Sequence, residues 1–227
     1  ILGKGITTQV WGGTDAFTQI NDSTIKVSPK VDAYYYVGTS SAYTVGANVI
    51  NNGNFEQGDQ GFTSQYGKAT NGMGRGKYAV NTNAKSYNSV FSACGDHTSG
   101  SGKMFITDAS EQANVKVWCQ SISTRANIKY EFAAWVTSVY KPNPPILQFQ
   151  VNGNLLGNVF QVEETVCDWQ KFAATWNSGT TTSAEICIIN QNVAGSGNDF
   201  AMDDISFAPV IETASNGDSV LVLVKSK

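Results

Sequence analysis

Acidic residues in two distant stretches could together bind a cation. The stretch 51–62, NNGNFEQGDQGF, places Glu56 directly after a phenylalanine and among glycines and asparagines, a composition typical of a sharp loop. The stretch 198–207, NDFAMDDISF, places Asp203 and Asp204 side by side in an otherwise apolar strand. Because side chains alternate along a strand, one of these two carboxylates is expected to point inward, where it needs a partner.

Calcium could be that partner, because it takes about six to eight oxygen ligands from carboxylates and backbone carbonyls. Glu56, Asp203 and the free carbonyls of the 51–60 region could supply such a set. A closed oxygen cage would leave no position for a substrate, so the ion would be structural. The alternative is that Asp203 and Asp204 accept hydrogen bonds from backbone N–H groups or pair with Lys or Arg. The residues alone leave both interpretations open.

Aromatic side chains near loops could stack on sugar rings, with amides and acids beside them to bind the hydroxyl groups. Four rings are predicted to contact a ligand in this way: Tyr66, Tyr87, Trp118 and Tyr140. Core packing is the competing interpretation for each tryptophan. The direction of Trp135, in the middle of the strand-like stretch EFAAWVTS, stays open.

The polar motifs of the sequence give little support to a catalytic function. The stretch 72–77, GMGRGK, lacks the spacing and the strand–loop–helix context of a phosphate-binding loop. The range 95–102 holds an Asp, a His and a Ser, but one short Gly/Ser loop cannot assemble them as a triad without a rigid scaffold. Adjacent acids such as Glu163 and Glu164 would point to opposite faces of a strand and could not flank a glycosidic bond. The sequence therefore predicts that the protein is not an enzyme.

Composition narrows the class of protein further. Only 15% of the 227 residues are charged, below the usual quarter or so, and the net charge is −3 without a basic run, which argues against a nucleic-acid partner. No apolar run reaches the roughly 18 residues of a membrane span. The chain does not begin with Met, and we interpret it as a piece of a longer protein.

The cysteines predict two disulfides and an extracellular location. They are Cys94, Cys119, Cys167 and Cys187, an even number without the close pairs of a zinc site. The sequence allows three connectivities. Pairing Cys94 with Cys119 and Cys167 with Cys187 closes the shortest loops and is the expected arrangement.

Recurring short strands separated by turns predict an all-β antiparallel sandwich. A change in composition near residue 46 divides the chain into 1–46, 47–209 and 210–227. Neither flank can bury a sheet face alone, so residues 24–37 are expected to pair with 218–225, which would make the middle segment an insertion. The alternative is that both flanks are linkers cut from neighbouring domains.

A series of motifs resembles jelly-roll carbohydrate-binding modules of families 4, 6 and 22, which have the galactose-binding-like fold. The motifs are NGNFEQGDQGF, SGSGKMFITD, VWCQSI, YEFAAWV and FAMDDISF, in that order. The resemblance implies that Glu56 and Asp203 bind a structural Ca²⁺.

A closer resemblance, through CGDHTSGSGKM, LLGNVF, WQKFAATWNSG and ICIINQN, is to modules of large adhesin-like surface proteins of gliding bacteria. Those proteins are exported by the type IX secretion system, and their modules stand among Ig-like repeats. The resemblance implies that 1–46 and 210–227 are parts of an Ig-like sandwich. It also implies a cell-surface module that binds a glycan or a cell or substratum surface, next to other domains of the same chain. The competing class is a structural spacer or assembly module of a long surface filament without a small ligand.

Overall fold

The computed structural model describes residues 9–13, 17–21, 24–27, 33–39, 43–212 and 220–224, with side chains for 45–210. The chain forms two compact units: an outer unit of 1–44 and 211–227, and a central unit of 45–210. Among the residues that the structure describes, no helix has the length and apolar character of a membrane span.

The described residues form sixteen strands and one short 3-10 helix, Ala84–Ser86. The strands of the first part of the chain are β1 (Gln9–Gly13), β2 (Phe17–Asn21), β3 (Thr24–Val27), β4 (Ala33–Thr39), β5 (Tyr43–Val45), β6 (Gly67–Lys68), β7 (Lys77–Asn81) and β8 (Met104–Asp108). The others are β9 (Val115–Ser123), β10 (Lys129–Ser138), β11 (Ile146–Val151), β12 (Asn154–Gln161), β13 (Gln170–Asn177), β14 (Ser183–Asn190), β15 (Asp199–Glu212) and β16 (Val220–Val224).

The two ends of the chain pair within the outer unit. Strand β4 lies between β1 and β16, and β16 is antiparallel to it, with Tyr36 opposite Leu221 and Tyr35 opposite Val222. This confirms the expected pairing for the part of 24–37 that lies in β4. Strand β3 instead pairs with β2 in a hairpin, and residues 28–32, 218, 219 and 225 lie outside the described residues. An Ig-like assignment of this unit stays a prediction.

The central unit has jelly-roll topology. Its larger sheet has the order β13-β10-β15-β8-β7-β6, with β5 also paired to β15, and its smaller sheet has the order β12-β11-β14-β9. If β8 is counted as the first strand, the neighbours are first–eighth–third–sixth in one sheet and second–seventh–fourth–fifth in the other. This is the order of two Greek keys folded into a double-sheet jelly roll. The predicted fold class is confirmed for this unit.

Alternating apolar side chains of both sheets fill the main core. Phe132 of β10, Phe149 of β11 and Phe172 of β13 stack in sequence, with centroid separations of 3.9 and 4.1 Å. Trp118 and Phe207 are fully buried in the same cluster. Burial of such large rings contributes about 1.5–3 kcal/mol for each side chain, so this core stabilises the central unit.

All four cysteines form disulfides, as predicted, but the expected pairing is wrong. Cys94 is bonded to Cys167, and Cys119 is bonded to Cys187. The second pair follows from strand register, because β9 and β14 are neighbours and place these two residues directly opposite each other. The first pair joins two loops that meet at the larger sheet. Proximity along the chain was therefore the wrong criterion, because the Greek-key crossovers bring distant segments together.

Candidate functional site

A β-bulge in the larger sheet reshapes the acidic motif of β15. Ala133 of β10 lies opposite Ser206, but Trp135 lies opposite Asp203, so β15 has one extra residue between these pairs. Asp204 takes the left-handed conformation, with φ of 45°. The extra residue breaks the strand alternation. As expected, one of the adjacent acids, Asp203, is buried, whereas Asp204 is partly exposed, and both side chains contact the same loop.

That loop, residues 96–102, encloses both carboxylates. Asp203 Oδ2 accepts hydrogen bonds from the backbone N–H groups of His97 at 3.0 Å and Thr98 at 3.3 Å. The Asp204 carboxylate bonds His97 Nδ1 at 2.7 Å and accepts from the Thr98 hydroxyl at 2.8 Å. Asp96 stabilises the loop from within, because it accepts from the backbone N–H of Gly102 at 2.6 Å.

One buried oxygen of the motif has no partner in the protein. Asp203 is fully buried, and its Oδ1 makes no hydrogen bond. Burial is the largest cause that raises the pKa of this carboxyl, to about 7. An orphaned buried carboxylate oxygen is unfavourable unless an ion, a water molecule or a proton satisfies it.

Two further carboxylates converge on the same loop. Glu56 Oε1 and Asp96 Oδ2 both lie beside Gly102, in the space that a β-carbon would occupy, so a larger residue there would require these two side chains to move. Glu56 Oε1 also accepts from the backbone N–H of Lys103 at 2.8 Å, and the Lys103 ammonium donates to the carbonyl of Glu56 at 2.8 Å. Glu56, Asp96 and Asp203 thus all contact the 96–103 segment, but their ligand oxygens do not all lie within 4.8 Å of one another. Asp96 is an acid of this segment that the sequence-based set did not include.

A different cluster in the central unit has metal-ligand spacing but not metal-ligand chemistry. Among residues 45–210, the one group of three Cys, His, Asp or Glu side chains with converging ligand atoms is Cys119, Glu185 and Cys187. Its two cysteines are bonded to each other, so they offer no thiolate.

A polar cleft opens on the outer face of the larger sheet, beside the bulge. Its volume is about 490 Å³, and its lining includes Asn52, Asn54, Trp135, Lys171, Asp204 and Ser206. Trp135 lies between Lys171 of β13 and Asp203 of β15 in the strand register. The ring of His97 stacks on the half-buried indole of Trp135, with centroids 3.9 Å apart and planes at 17°. Asp204 and Trp135 thus connect the acidic loop to the cleft.

The polar groups that line the cleft differ in whether they are already hydrogen-bonded within the protein or free to contact a ligand. The Asn52 amide is buried and committed to the turn, because its nitrogen donates to the carbonyls of Gly58 and Gln60, at 2.9 Å each. Asn54 and Lys171 are exposed, although the Lys171 ammonium also contacts Glu131 at 3.1 Å. The cleft therefore combines one aromatic wall with an amide, an ammonium and a carboxylate.

Two of the four predicted stacking rings are wrong for that role. Trp118 is fully buried in the main core, and Tyr66 is 4% exposed, with its hydroxyl oxygen accepting from the backbone N–H of Ser110 at 2.9 Å. Tyr87 is half-buried, and Tyr140 packs against a smaller core under the 82–102 segment. These two rings stay predictions, and neither lines the cleft.

The aromatic residue that lines the cleft, Trp135, could not be selected from alternation alone. It stands in phase with Ala133, and the bulge after that residue decides how the strand presents it to the cleft. The one hint in the sequence is the acidic pair on the partner strand, since regular alternation would direct one of the two acids into the apolar core.

No protein-family model and no curated protein sequence matches this chain. One similar solved structure is the CBM22-1 xylan-binding domain of Xyn10C from Paenibacillus barcinonensis, with a TM-score of 0.49 and 16% identity, covering 78% of this chain and 100% of that one. Another is TmCBM61, solved with β-1,4-galactotriose, with a TM-score of 0.47 and 15% identity, covering 71% of this chain and 97% of that one.

A third similar structure is the C-terminal domain of the sugar-binding protein EclA. The TM-score is 0.38 and the identity is 15%, and the match covers 40% of this chain and 66% of that domain. Two of the three neighbours are thus named carbohydrate-binding modules, and the third is named a sugar-binding protein. With TM-scores below 0.5, these likenesses decide neither the ligand nor the site of this chain.

Proposed function

We propose that the central unit is a non-catalytic module that binds a glycan in the cleft beside Trp135. The observation that carries this proposal is the combination of a half-buried indole with Asn54, Lys171 and Asp204 around one open cleft of about 490 Å³. Sugars present an apolar ring face and a ring of hydroxyl groups. An aromatic wall with amide and charged neighbours offers both kinds of contact.

The loop behind the cleft would hold the binding surface in place. His97 is fixed by its backbone bond to Asp203 and its ring bond to Asp204, at 3.0 and 2.7 Å, and its ring then supports Trp135. The Cys94–Cys167 disulfide and the hydrogen bond from Trp169 Nε1 to the Gly95 carbonyl, at 3.2 Å, anchor the same segment. A preorganised wall loses little conformational entropy when a ligand binds.

Calcium would stabilise this arrangement without contacting the glycan. Glu56 and Asp203 would hold the ion, and it would neutralise carboxylates that contact the 96–103 segment. Removal of the ion with a chelator is then expected to lower the melting temperature, because an ion at about 100 times its Kd adds about 2.7 kcal/mol. An unchanged melting curve in chelator, with no metal found by elemental analysis, would contradict the calcium proposal.

The kind of longer protein that contains this chain is also a proposal. The motifs shared with adhesin-like proteins of gliding bacteria support a place in a surface protein exported by the type IX secretion system, and two disulfides are typical of an oxidising compartment. The outer unit would be an Ig-like part of the same long chain. Its pairing of β4 with β16 supports a central unit inserted between two paired strands.

A glycan array probed with the labelled chain tests this function. Binding to one class of glycan is expected, and Lys171→Ala should weaken it while Lys129→Ala should not. Lys129 is the matched control because it is exposed on the neighbouring strand β10 and does not line the cleft. Absence of binding to any glycan by a folded protein would instead support a structural spacer.

A further inference from the structure

A second pair of acidic side chains lies at the opposite end of β8 from the Glu56 loop. Asp108, the last residue of β8, is directly opposite Asp199, the first residue of β15. Their carboxyl groups lie within hydrogen-bonding reach of each other. Asp199 is 5% exposed and Asp108 is half-buried, so both are partly removed from water. A strand of this length spans roughly 15 Å, which separates the pair from Glu56 and Gly102.

Two facing carboxylates need compensation that the described protein supplies only in part. Burial, and then the neighbouring carboxyl, raise the pKa of Asp199, and burial raises that of Asp108. The backbone N–H of Ala109 and the positive charge of Arg75 counteract the rise in the pKa of Asp199, and Arg75 also counteracts that of Asp108. The guanidinium of Arg75, however, forms its ion pair with Glu111. No ion pair to either carboxylate exists among residues 45–210.

Two buried oxygen atoms beside this pair have no hydrogen-bond partner. They are Asp199 Oδ1 and Asn198 Oδ1. Asn198 is fully buried and has a φ of 63°, which takes it out of strand alternation. Its amide nitrogen donates to the carbonyl of Ser110 at 3.4 Å, so the amide group lies at the end of β8, close to Asp108. Asn198 directly precedes Asp199 in the chain, so both orphaned oxygens are buried at this end of β8.

We propose that Asp108, Asp199 and the side-chain oxygen of Asn198 bind a divalent cation of the calcium type. A proton shared between the two carboxyls would satisfy the oxygens that face each other, but it would leave the two orphaned oxygens without a partner. One proton that bridges the two facing oxygens cannot at the same time be donated from Asp199 Oδ1 to Asn198 Oδ1, so the orphaned oxygens would stay unsatisfied. A cation accepts lone pairs from all of them, and hard oxygen ligands of this kind favour calcium.

Calcium titration of the chelator-treated full chain, followed by calorimetry, tests this site. The wild type is expected to bind one more equivalent of Ca²⁺ than Asp199→Asn, which keeps the size of the side chain and removes its charge. Glu111→Gln is the matched control, because this acid lies nearby and exposed, and it should keep the equivalent. Asp203→Asn should also keep it, which distinguishes this site from the proposed structural calcium.

A spectroscopic measurement gives a second readout. Tyr66 accepts a hydrogen bond from Ser110, so terbium bound near Ser110 should be excited through this tyrosine, and Tyr66→Phe should remove that emission. If Asp199→Asn does not fold, Asp108→Asn takes its place in both measurements. The proposal is overturned if the variants bind as many Ca²⁺ equivalents as the wild type and change only the pH dependence of melting. That outcome would assign a shared proton to the pair. Neither result depends on whether the cleft binds a glycan.

Discussion

Strand β15 buries two aspartates whose surroundings differ. Asp203 is met by the backbone N–H groups of His97 and Thr98, whereas Asp199 is met mainly by another carboxyl group, that of Asp108. Each keeps one orphaned oxygen. The difference shows that a buried acid can have either of two structural roles. One acid anchors a loop through fixed donors, and the other stands in a pair that is complete only with a bound cation or proton.

Removal of the Cys94–Cys167 disulfide, which holds the loop anchored by Asp203, is expected to cause the largest loss of unfolding free energy. This bond spans 73 residues, and the double variant Cys94→Ala/Cys167→Ala should lose about 4 kcal/mol of unfolding free energy. The control is Cys119→Ala/Cys187→Ala, which opens a similar span of 68 residues. Amide hydrogen exchange should show faster exchange at His97 in the first variant alone. Equal protection of His97 in both would mean that the disulfide does not hold the loop.

The variant Asp203→Ala is expected to cause the next largest loss of unfolding free energy. It leaves the backbone N–H groups of His97 and Thr98 without their acceptor, which costs about 3 kcal/mol in urea unfolding. Asp204→Ala is the control on the same loop. Its side chain is 31% exposed, so water can replace it, and the loss should be about 1 kcal/mol. Equal losses would remove the distinction between an anchoring acid and its neighbour.

Asp199→Asn should behave in the opposite way when a chelator is present. The amide relieves the repulsion with Asp108 and can donate to it, so the unfolding free energy should stay unchanged or rise by about 1 kcal/mol. Urea unfolding of wild type and variant, with and without Ca²⁺, measures this. A loss as large as that of Asp203→Ala in chelator would show that the two acids have the same structural role.

Much of the fold follows from local sequence patterns. Asn152 and Gly153 tolerate positive φ, and they form the predicted hairpin turn with φ of 50° and 79°. Alternating apolar residues likewise mark most strands of both sheets. Glu56 and Asp203, from distant parts of the sequence, both accept hydrogen bonds from the 97–103 segment, and their binding of an ion stays a prediction.

The site could be predicted only in part, because its details depend on strand register. The extra residue at Asp204 turns two acids toward one loop, and the pairing of β9 with β14 selects the partner of Cys119. Neither is visible in local periodicity. The prediction of exposed rings failed for the same reason: Tyr66 stands near a loop in the sequence and Trp118 in a strand-like stretch, but the tertiary fold encloses both.

The variant Tyr66→Phe is expected to change the unfolding free energy least at neutral pH, and the ionisation of Tyr66 becomes measurable in alkali. Burial raises the pKa of this phenol to about 12, above its ordinary value of 10.0. A raised folded-state pKa means that the contribution to stability is complete below the ordinary value and is lost as pH rises from there through about 12. Absorbance titration at 295 nm should show a late step that Tyr66→Phe removes. A titration without that step would mean that the phenol is accessible, as the stacking interpretation required.

The central claim is that the cleft beside Trp135 binds a glycan, and calorimetric titration tests it most directly. The glycan that binds best on the array is titrated into the wild type and Trp135→Ala, after circular dichroism has shown that both are folded. The variant is expected to bind at least about tenfold more weakly, which is about 1.4 kcal/mol. Equal affinity in the two proteins would contradict glycan binding in this cleft and place the glycan elsewhere on the molecule.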